Sequence, residues 1–391
     1  MSLWKDRPLE LYLHIPFCRQ KCAYCDFLSG PWDEETQEQY VNVLVQEMQH
    51  VSEEAAGRKV STIFVGGGTP SLLRPSLMQK IFEQVQKNFQ AAPDAEITIE
   101  ANPGTLHREQ LQCYRELGIN RLSMGLQSTV EKELNMLGRI HTFPDFLKNY
   151  EIAREVGFDN ISVDLMFALP DQTRTSWQET LRRTAELSPE HLSAYSLIIE
   201  EGTPFASMKL SLPEEDTEYA MYEDTGEILS EYGFHQYEIS NYATPGRESR
   251  HNLGYWERKD YLGLGIGAAS LWTPACEGEK QAYPTQIRFA NTRNMGTYLK
   301  EQGNPENIRE DKEYLTKEDA ISEFMFLGLR KTVGISKTEF QKEFGTSVEE
   351  IYGEIIRKYC SMELLEEVGD QIRLTRAGIH VSNSVMAEFL L

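Results

Sequence analysis

No window of this 391-residue sequence approaches the run of about eighteen apolar residues that a helix needs to cross a bilayer. The first residues, MSLWKDRPLELYLHIPFC, lack the apolar stretch and small-residue cleavage site of a secretory leader, so a cytoplasmic protein is expected. Positive charge is scarce: 39 Lys and Arg stand against 61 Asp and Glu, a formal net charge of −22. Such a surface repels nucleic-acid phosphate and anionic lipid, which argues against both as partners but leaves room for a local basic pocket. Cysteine is also scarce. Three of the six, Cys18, Cys22 and Cys25, crowd together, while Cys113, Cys276 and Cys360 stand alone and read as buried or incidental. A disulfide framework would be denser and more even, so the pattern points to one thiolate site in a reducing compartment. Repeats and low-complexity segments are absent.

What is present is an alternation. Apolar, often β-branched runs at Leu11 to Ile15, Thr62 to Val65, Ile97 to Glu100, Arg121 to Met124, Ile161 to Phe167 and His191 to Ile199 read as strands buried on both faces. Helical patterns lie between them, at Glu34 to Val51, Ser76 to Phe89, Arg108 to Leu117, Phe143 to Val156, Ser176 to Leu187 and Glu214 to Tyr232. Strand–helix units in succession imply parallel strands with right-handed crossovers. Six units are too few for a closed eight-stranded barrel, so the expected fold is α/β, an open partial TIM-like (β/α)6 barrel with functional residues just beyond the strand C-termini. After about Gly303 helices follow one another, and a hairpin signal at Gly369-Asp370 completes a winged-helix-like pattern. The expected division is a core over 1–240, a connecting segment over 241–302 and a C-terminal module over 303–391.

The strand ends carry the chemistry. After the first comes His14-Ile-Pro-Phe-Cys18-Arg-Gln-Lys-Cys22-Ala-Tyr24-Cys25-Asp-Phe27. Three thiolates at this spacing can ligate three irons of a [4Fe–4S] cluster and leave the fourth open to a small chelating ligand. Zinc, with His14 as a fourth ligand, is the competing use of the same residues. After the second strand, Val65-Gly-Gly67-Gly68-Thr69 exposes backbone polar groups, with no phosphate-loop lysine. Glu100, Gln127 and Asp164 end later strands, and Arg139 follows Leu137-Gly138. Asp164 interrupts an apolar run, which is costly unless the carboxylate is paired or bound. Finally, Arg250-His251-Asn252-Leu-Gly-Tyr255-Trp256 groups one imidazole with two large aromatics.

C-x3-C-x2-C with Tyr24 resembles the cluster motif of the radical S-adenosylmethionine (SAM) superfamily. The wider context, His14-Ile-Pro-Phe-Cys18, is similar to oxygen-independent coproporphyrinogen III oxidases and the haem chaperones related to them, over nearly the whole chain. The resemblance implies a cluster on Cys18, Cys22 and Cys25 and a SAM site from Gly67, Gly68, Thr69, Glu100, Gln127, Arg139 and Asp164, with Tyr12, Tyr24 and Ile198 beside the adenosyl group. Two features depart from the oxidase: Phe27 stands where it has a further cysteine, and only seventeen residues precede Cys18. H-N-x-x-Y-W resembles the signature of the chaperone branch. Haem binding is thereby implied for His251, Asn252, Tyr255 and Trp256, with His251 as a possible iron ligand or a structural residue. The expected function is a haem chaperone, a monomer or homodimer, that passes haem to an acceptor, for which the family implies a membrane respiratory protein. The alternatives are a radical SAM oxidase acting on a tetrapyrrole such as coproporphyrinogen III, and a zinc-containing structural protein.

Overall fold

The computed structural model of the protein describes residues 7–274 and 286–391, so Cys276 lies outside the described residues. Strands β1 (Leu9–Ile15), β2 (Lys59–Gly67), β3 (Gln90–Ala101), β4 (Arg121–Gln127), β5 (Ile161–Phe167) and β6 (His191–Ser196) run parallel in sequence order. The crossovers carry α1 (Glu34–Val51), α2 (Pro75–Asn88), α3 (Arg108–Glu116), α4 (Glu131–Met136), α5 (Phe143–Glu155) and α6 (Arg174–Ala185); α7 (Glu215–Glu231) follows β6. α1 buries Tyr40, Leu44, Met48 and Val51, one residue per turn or so, as a helix with one apolar stripe must. Its Asp33 N-cap accepts a hydrogen bond from the Thr36 amide at 2.8 Å, answering one of the orphan donors of its first turn.

The sheet is longer than the six repeated units. Its twelve strands run in the order β12-β11-β10-β9-β1-β2-β3-β4-β5-β6-β8-β7, with two free edges and no closure. At one end β7 (His235–Gln236) and β8 (Asn241–Ala243) form a short hairpin antiparallel to β6. At the other, α8 (Arg250–Trp256) leads into β9 (Asp260–Leu264), which pairs parallel to β1; β10 (Ala269–Trp272), β11 (Ile287–Asn291) and β12 (Arg309–Tyr314) then extend the sheet antiparallel. The segment over 241–302 therefore supplies α8 and four of the sheet's strands, β8 to β11. Two short helices, α9 (Met295–Lys300) and α10 (Pro305–Ile308), lie between β11 and β12.

Two buried groups bind this extension to the core. Glu47 of α1 accepts hydrogen bonds from the Gly265 amide (2.9 Å), the Asn291 amide group (2.6 Å) and the Tyr298 hydroxyl (2.5 Å). Arg58 pairs with Asp260 at 2.8 Å, both side chains wholly buried.

The C-terminal module has its own apolar core. It consists of α11 (Lys317–Gly328), β13 (Ile335–Ser336), α12 (Lys337–Phe344), α13 (Val348–Ser361), the hairpin β14 (Leu365–Val368) and β15 (Gln371–Leu374), then α14 (Arg376–His380) and α15 (Ser382–Ala387). Its first three helices and the small three-stranded sheet match the winged-helix-like expectation, with α14 and α15 added after the hairpin. No helix among the described residues is long and apolar enough to cross a membrane.

Candidate functional site

The cysteine loop leaves β1 and is fastened on three sides. Cys18 N–H donates to Gly30 O and Gly30 N–H to Pro16 O, both at 2.9 Å, which closes the loop on itself. Ala23 N–H reaches Leu137 O at 3.0 Å, tying its middle to the segment after α4. At its base, Gly68 N–H donates to Ile15 O and Thr69 N–H to Phe17 O. This approach requires the glycine: a Cβ on Gly68 would stand 2.7 Å from Phe17 O. Gly67 adopts φ +114°, and a Cβ there would meet the His14 ring.

Cys18, Cys22 and Cys25 line one small cavity of about 110 Å³ together with Gly67, Gly68 and Thr69. Tyr24, Glu100, Gln127, Arg139 and Asp164 complete its walls. The sequence motifs from five strand ends therefore converge. Burial, with the Asp164 charge beside it, pushes Glu100 up to about 8, and burial likewise raises Asp164. Among the described residues Glu100 accepts only the Gly67 amide (3.0 Å), and Ser123 Oγ donates to Asp164 at 3.2 Å. Burial works against the Arg139 charge, but Tyr24 and Cys22 hold the guanidinium above its ordinary range. Arg139 reaches Cys22 Sγ at 3.6 Å and Asn102 Oδ1 at 2.8 Å, while its Nε is buried with no hydrogen-bond partner among the described residues. Asn102 also donates to Thr69 Oγ1 at 2.8 Å, and its role as the bridge between Arg139 and the glycine segment is a contribution that sequence reasoning missed. Gln127 takes φ +70°, a conformation a side chain of this kind rarely adopts. Two high-energy carboxyls, an unsatisfied guanidinium nitrogen and three thiols facing one space are a cradle for a zwitterionic ligand beside a thiolate-bound metal group.

Other expected positions lie elsewhere. Tyr12 and His14, two apart on β1, point away from the buried Leu11 and Leu13 and line a second, larger cavity of about 680 Å³. Ile198 follows β6, is exposed and lines neither cavity.

The larger cavity lies between the sheet and α11 of the C-terminal module, which contributes Glu323, Phe326 and Leu327. Its walls are rich in aromatic residues: Phe27, Tyr255, Trp256 and Tyr261 join Tyr12. Phe27, two-thirds exposed, borders both cavities. Arg288 is engaged by Glu313 and Glu323, whereas Arg293, exposed at the rim, forms no ion pair with any described residue. His251 does not line the cavity. It is buried, with Nδ1 2.7 Å from Thr62 Oγ1 and Nε2 2.9 Å from the Tyr255 hydroxyl, and its ring stacks on Phe64. Burial and nearby Arg121 push it down to about 3, so it is neutral. Asn252 sits in the first turn of α8 without lining the cavity; its amide donates to the Ser249 cap.

A model of the Radical SAM superfamily matches residues 12–184, and one of the HemN C-terminal domain matches residues 315–381. A solved structure described as coproporphyrinogen III oxidase (HemN) from Escherichia coli, a radical SAM enzyme, superposes with a TM-score of 0.85 at 25% identity, covering 99% of this chain and 91% of that one. Fold and site thus define a radical SAM protein built like HemN. "Heme chaperone HemW" of Bacillus subtilis is 36% identical over 97% of this chain and 98% of its own length. "Heme chaperone HemW" of Escherichia coli is also 36% identical, over 98% of both. The chain belongs to the HemW haem chaperone family.

Proposed function

We propose that the protein binds haem in the larger cavity and passes it to an acceptor protein, with a [4Fe–4S] cluster and SAM held in the smaller one. The observation that carries this reading is the second cavity itself. At about 680 Å³ it has the size, apolar lining and sparse polar groups of a site for one sizeable ligand. Tyr255 and Trp256 of the H-N-x-x-Y-W segment stand in its wall, suited to stack on a macrocycle. Arg293, which forms no ion pair with any described residue, would offer a cation at the rim for a propionate.

In the smaller cavity Cys18, Cys22 and Cys25 would hold the cluster. When bound, it would supply a one-electron reductant beside SAM. Glu100 and the Gly67–Thr69 backbone would take the SAM amino group, Arg139 its carboxylate and Asp164 its ribose. The chain's own residues fix these groups before any ligand arrives: Asn102 sets Arg139 against Thr69, and Gly68 lets the cysteine loop rest directly on β2.

The test is anaerobic reconstitution with iron and sulfide, followed by haem titration with and without SAM. Cluster absorption and a saturable one-to-one Soret complex are expected. A reconstituted protein that takes up no haem would overturn the chaperone reading. The likeness to coproporphyrinogen III oxidase favours a second reading, an oxidase acting on a tetrapyrrole. Formation of 5′-deoxyadenosine dependent on coproporphyrinogen III would establish it.

A further inference from the structure

We infer that Arg121 of β4 is a positioning residue for SAM: its charge, which no described residue takes up, lets Glu100 and Asp164 stand side by side as two carboxylates. The inference rests on the SAM assignment of the smaller cavity above.

Leu122 and Met124 of β4 belong to the apolar core, so alternation puts Arg121, Ser123 and Gly125 together on the opposite face. Ser123 and Gly125 line the smaller cavity, and Arg121 is the next residue down on that face. The step is about 7 Å along the strand, a length that an arginine side chain can span. In register, Ser123 stands opposite Glu100 of β3 and Gly125 opposite Asp164 of β5. Thus β4 runs between the two carboxyls, and Arg121 starts beneath both.

Arg121 is only 2% exposed, yet its guanidinium makes no hydrogen bond or ion pair with any described residue, and its Nε is fully enclosed. Thr98 Oγ1, on the residue opposite in register, is likewise buried without a partner among them. The groups around the guanidinium leave little choice of counter-charge. His191 of β6 and His251 of α8 both feel Arg121, and burial holds both neutral. Tyr237, just before β8, is kept protonated by burial in spite of it. Glu96 accepts the Arg250 and His251 amides, each at 3.1 Å, and Glu10 answers to Lys259 and Arg250. Glu100 and Asp164 remain, and Arg121 favours the ionised form of each. A buried cation without a partner is destabilising in itself, which marks this one as serving a ligand rather than the fold.

The carboxyls need such a cation because two of them in one buried space oppose each other's ionisation. On the assignment above, Glu100 meets an ammonium and Asp164 meets ribose hydroxyls, and only ionised carboxylates are pure acceptors for both. The other groups facing the pair do not supply the charge. From β2 Glu100 receives the Gly67 amide, and from β1 and α8 it faces Tyr12 and Tyr255, both kept protonated by burial. Asp164 has the hydroxyls of Ser123 and of Ser193 on β6. Arg139 also faces Asp164, but it is the cation assigned to the SAM carboxylate, which leaves Arg121 for the pair.

The test is calorimetric titration of SAM into the full-length, anaerobically reconstituted protein with its cluster oxidised. Arg121→Met should bind SAM about tenfold more weakly at pH 7, and the deficit should shrink toward pH 9, because losing the cation raises the pH at which the carboxyls ionise. Arg121→Lys keeps the charge and should recover most of the affinity. In Glu100→Gln, where the pair is already reduced to one carboxyl, adding Arg121→Met should cost less than about twofold. Without SAM, Arg121→Met should keep the wild-type cluster content and urea midpoint, since it removes a charge that no described residue pairs with. A variant that fails to fold, or is clearly less stable, would show that Arg121 serves the fold and overturn the inference. So would wild-type SAM affinity in Arg121→Met, a deficit equal at every pH, one undiminished in Glu100→Gln, or Arg121→Lys no better than Arg121→Met. A wild type that takes up its cluster but binds no SAM removes the SAM assignment itself.

Discussion

Glu47→Gln tests how the antiparallel extension is joined to the barrel. Burial pushes Glu47 from the ordinary 4.5 up to about 7, against the pull of hydrogen bonds from Tyr298, Gly265 and Asn291. A rise of this size is worth about 3 kcal/mol at about 1.4 kcal/mol per unit. The sign follows from the direction of the shift. A carboxyl raised on folding contributes its stability fully below about pH 4.5 and loses it as the pH climbs through about 7. Glutamine cannot titrate, and its amide NH2 faces a donor in either orientation, Asn291 on one side or Gly265 and Tyr298 on the other. That mismatch costs about 1–3 kcal/mol at every pH. The pH-dependent part is separable: the stability of wild type minus that of Glu47→Gln should fall by about 2–3 kcal/mol between pH 5 and pH 8. Urea unfolding followed by tryptophan fluorescence at several pH values measures the difference. Parallel profiles for the two proteins would refute the reasoning.

Arg58→Met should destabilise the protein by about 3–5 kcal/mol, because it leaves Asp260 buried without its charge partner; a loss under 1 kcal/mol in the same urea assay would count against a buried pair. Gly68→Ala drives a Cβ into the Phe17 backbone, which has no rotamer to escape into. It should lower iron and sulfide per chain after reconstitution several-fold, and wild-type loading would show that the loop does not need this close approach. Arg293→Glu should weaken haem binding about fivefold or more, the worth of one exposed ion pair at about 1 kcal/mol. The dimethyl ester of haem should bind both proteins alike, and an equal effect on ester and acid would remove Arg293 as a propionate partner.

Much of the core was legible because its strands are buried on both faces and write themselves as apolar runs between amphipathic helices. The predicted span of α1 and its buried stripe coincide with the observed ones. The cavity of the cysteine loop was legible for a related reason: residues at the C-terminal ends of parallel strands are gathered at one end of the sheet by topology. What escaped were long-range choices. β9 is a five-residue strand, Asp260–Leu264, that pairs with β1 some 250 positions earlier, and nothing local announces that partner. Tyr12 was expected at the adenosyl group, but alternation along β1 gives it the face of His14, toward the larger cavity. The pattern H-N-x-x-Y-W names residue types without saying which way each points; the seating of Gly254 on Glu10 turns His251 inward and Tyr255 to the wall.

Phe27 belongs to the walls of both cavities, and this has a thermodynamic consequence. A ligand in either space that moves the ring reshapes the other. Any factor by which SAM changes the affinity for haem must then equal the factor by which haem changes the affinity for SAM. On the proposed assignment of the two cavities, one aromatic side chain would couple cofactor and cargo, and haem titration with and without SAM would read that coupling as a single factor.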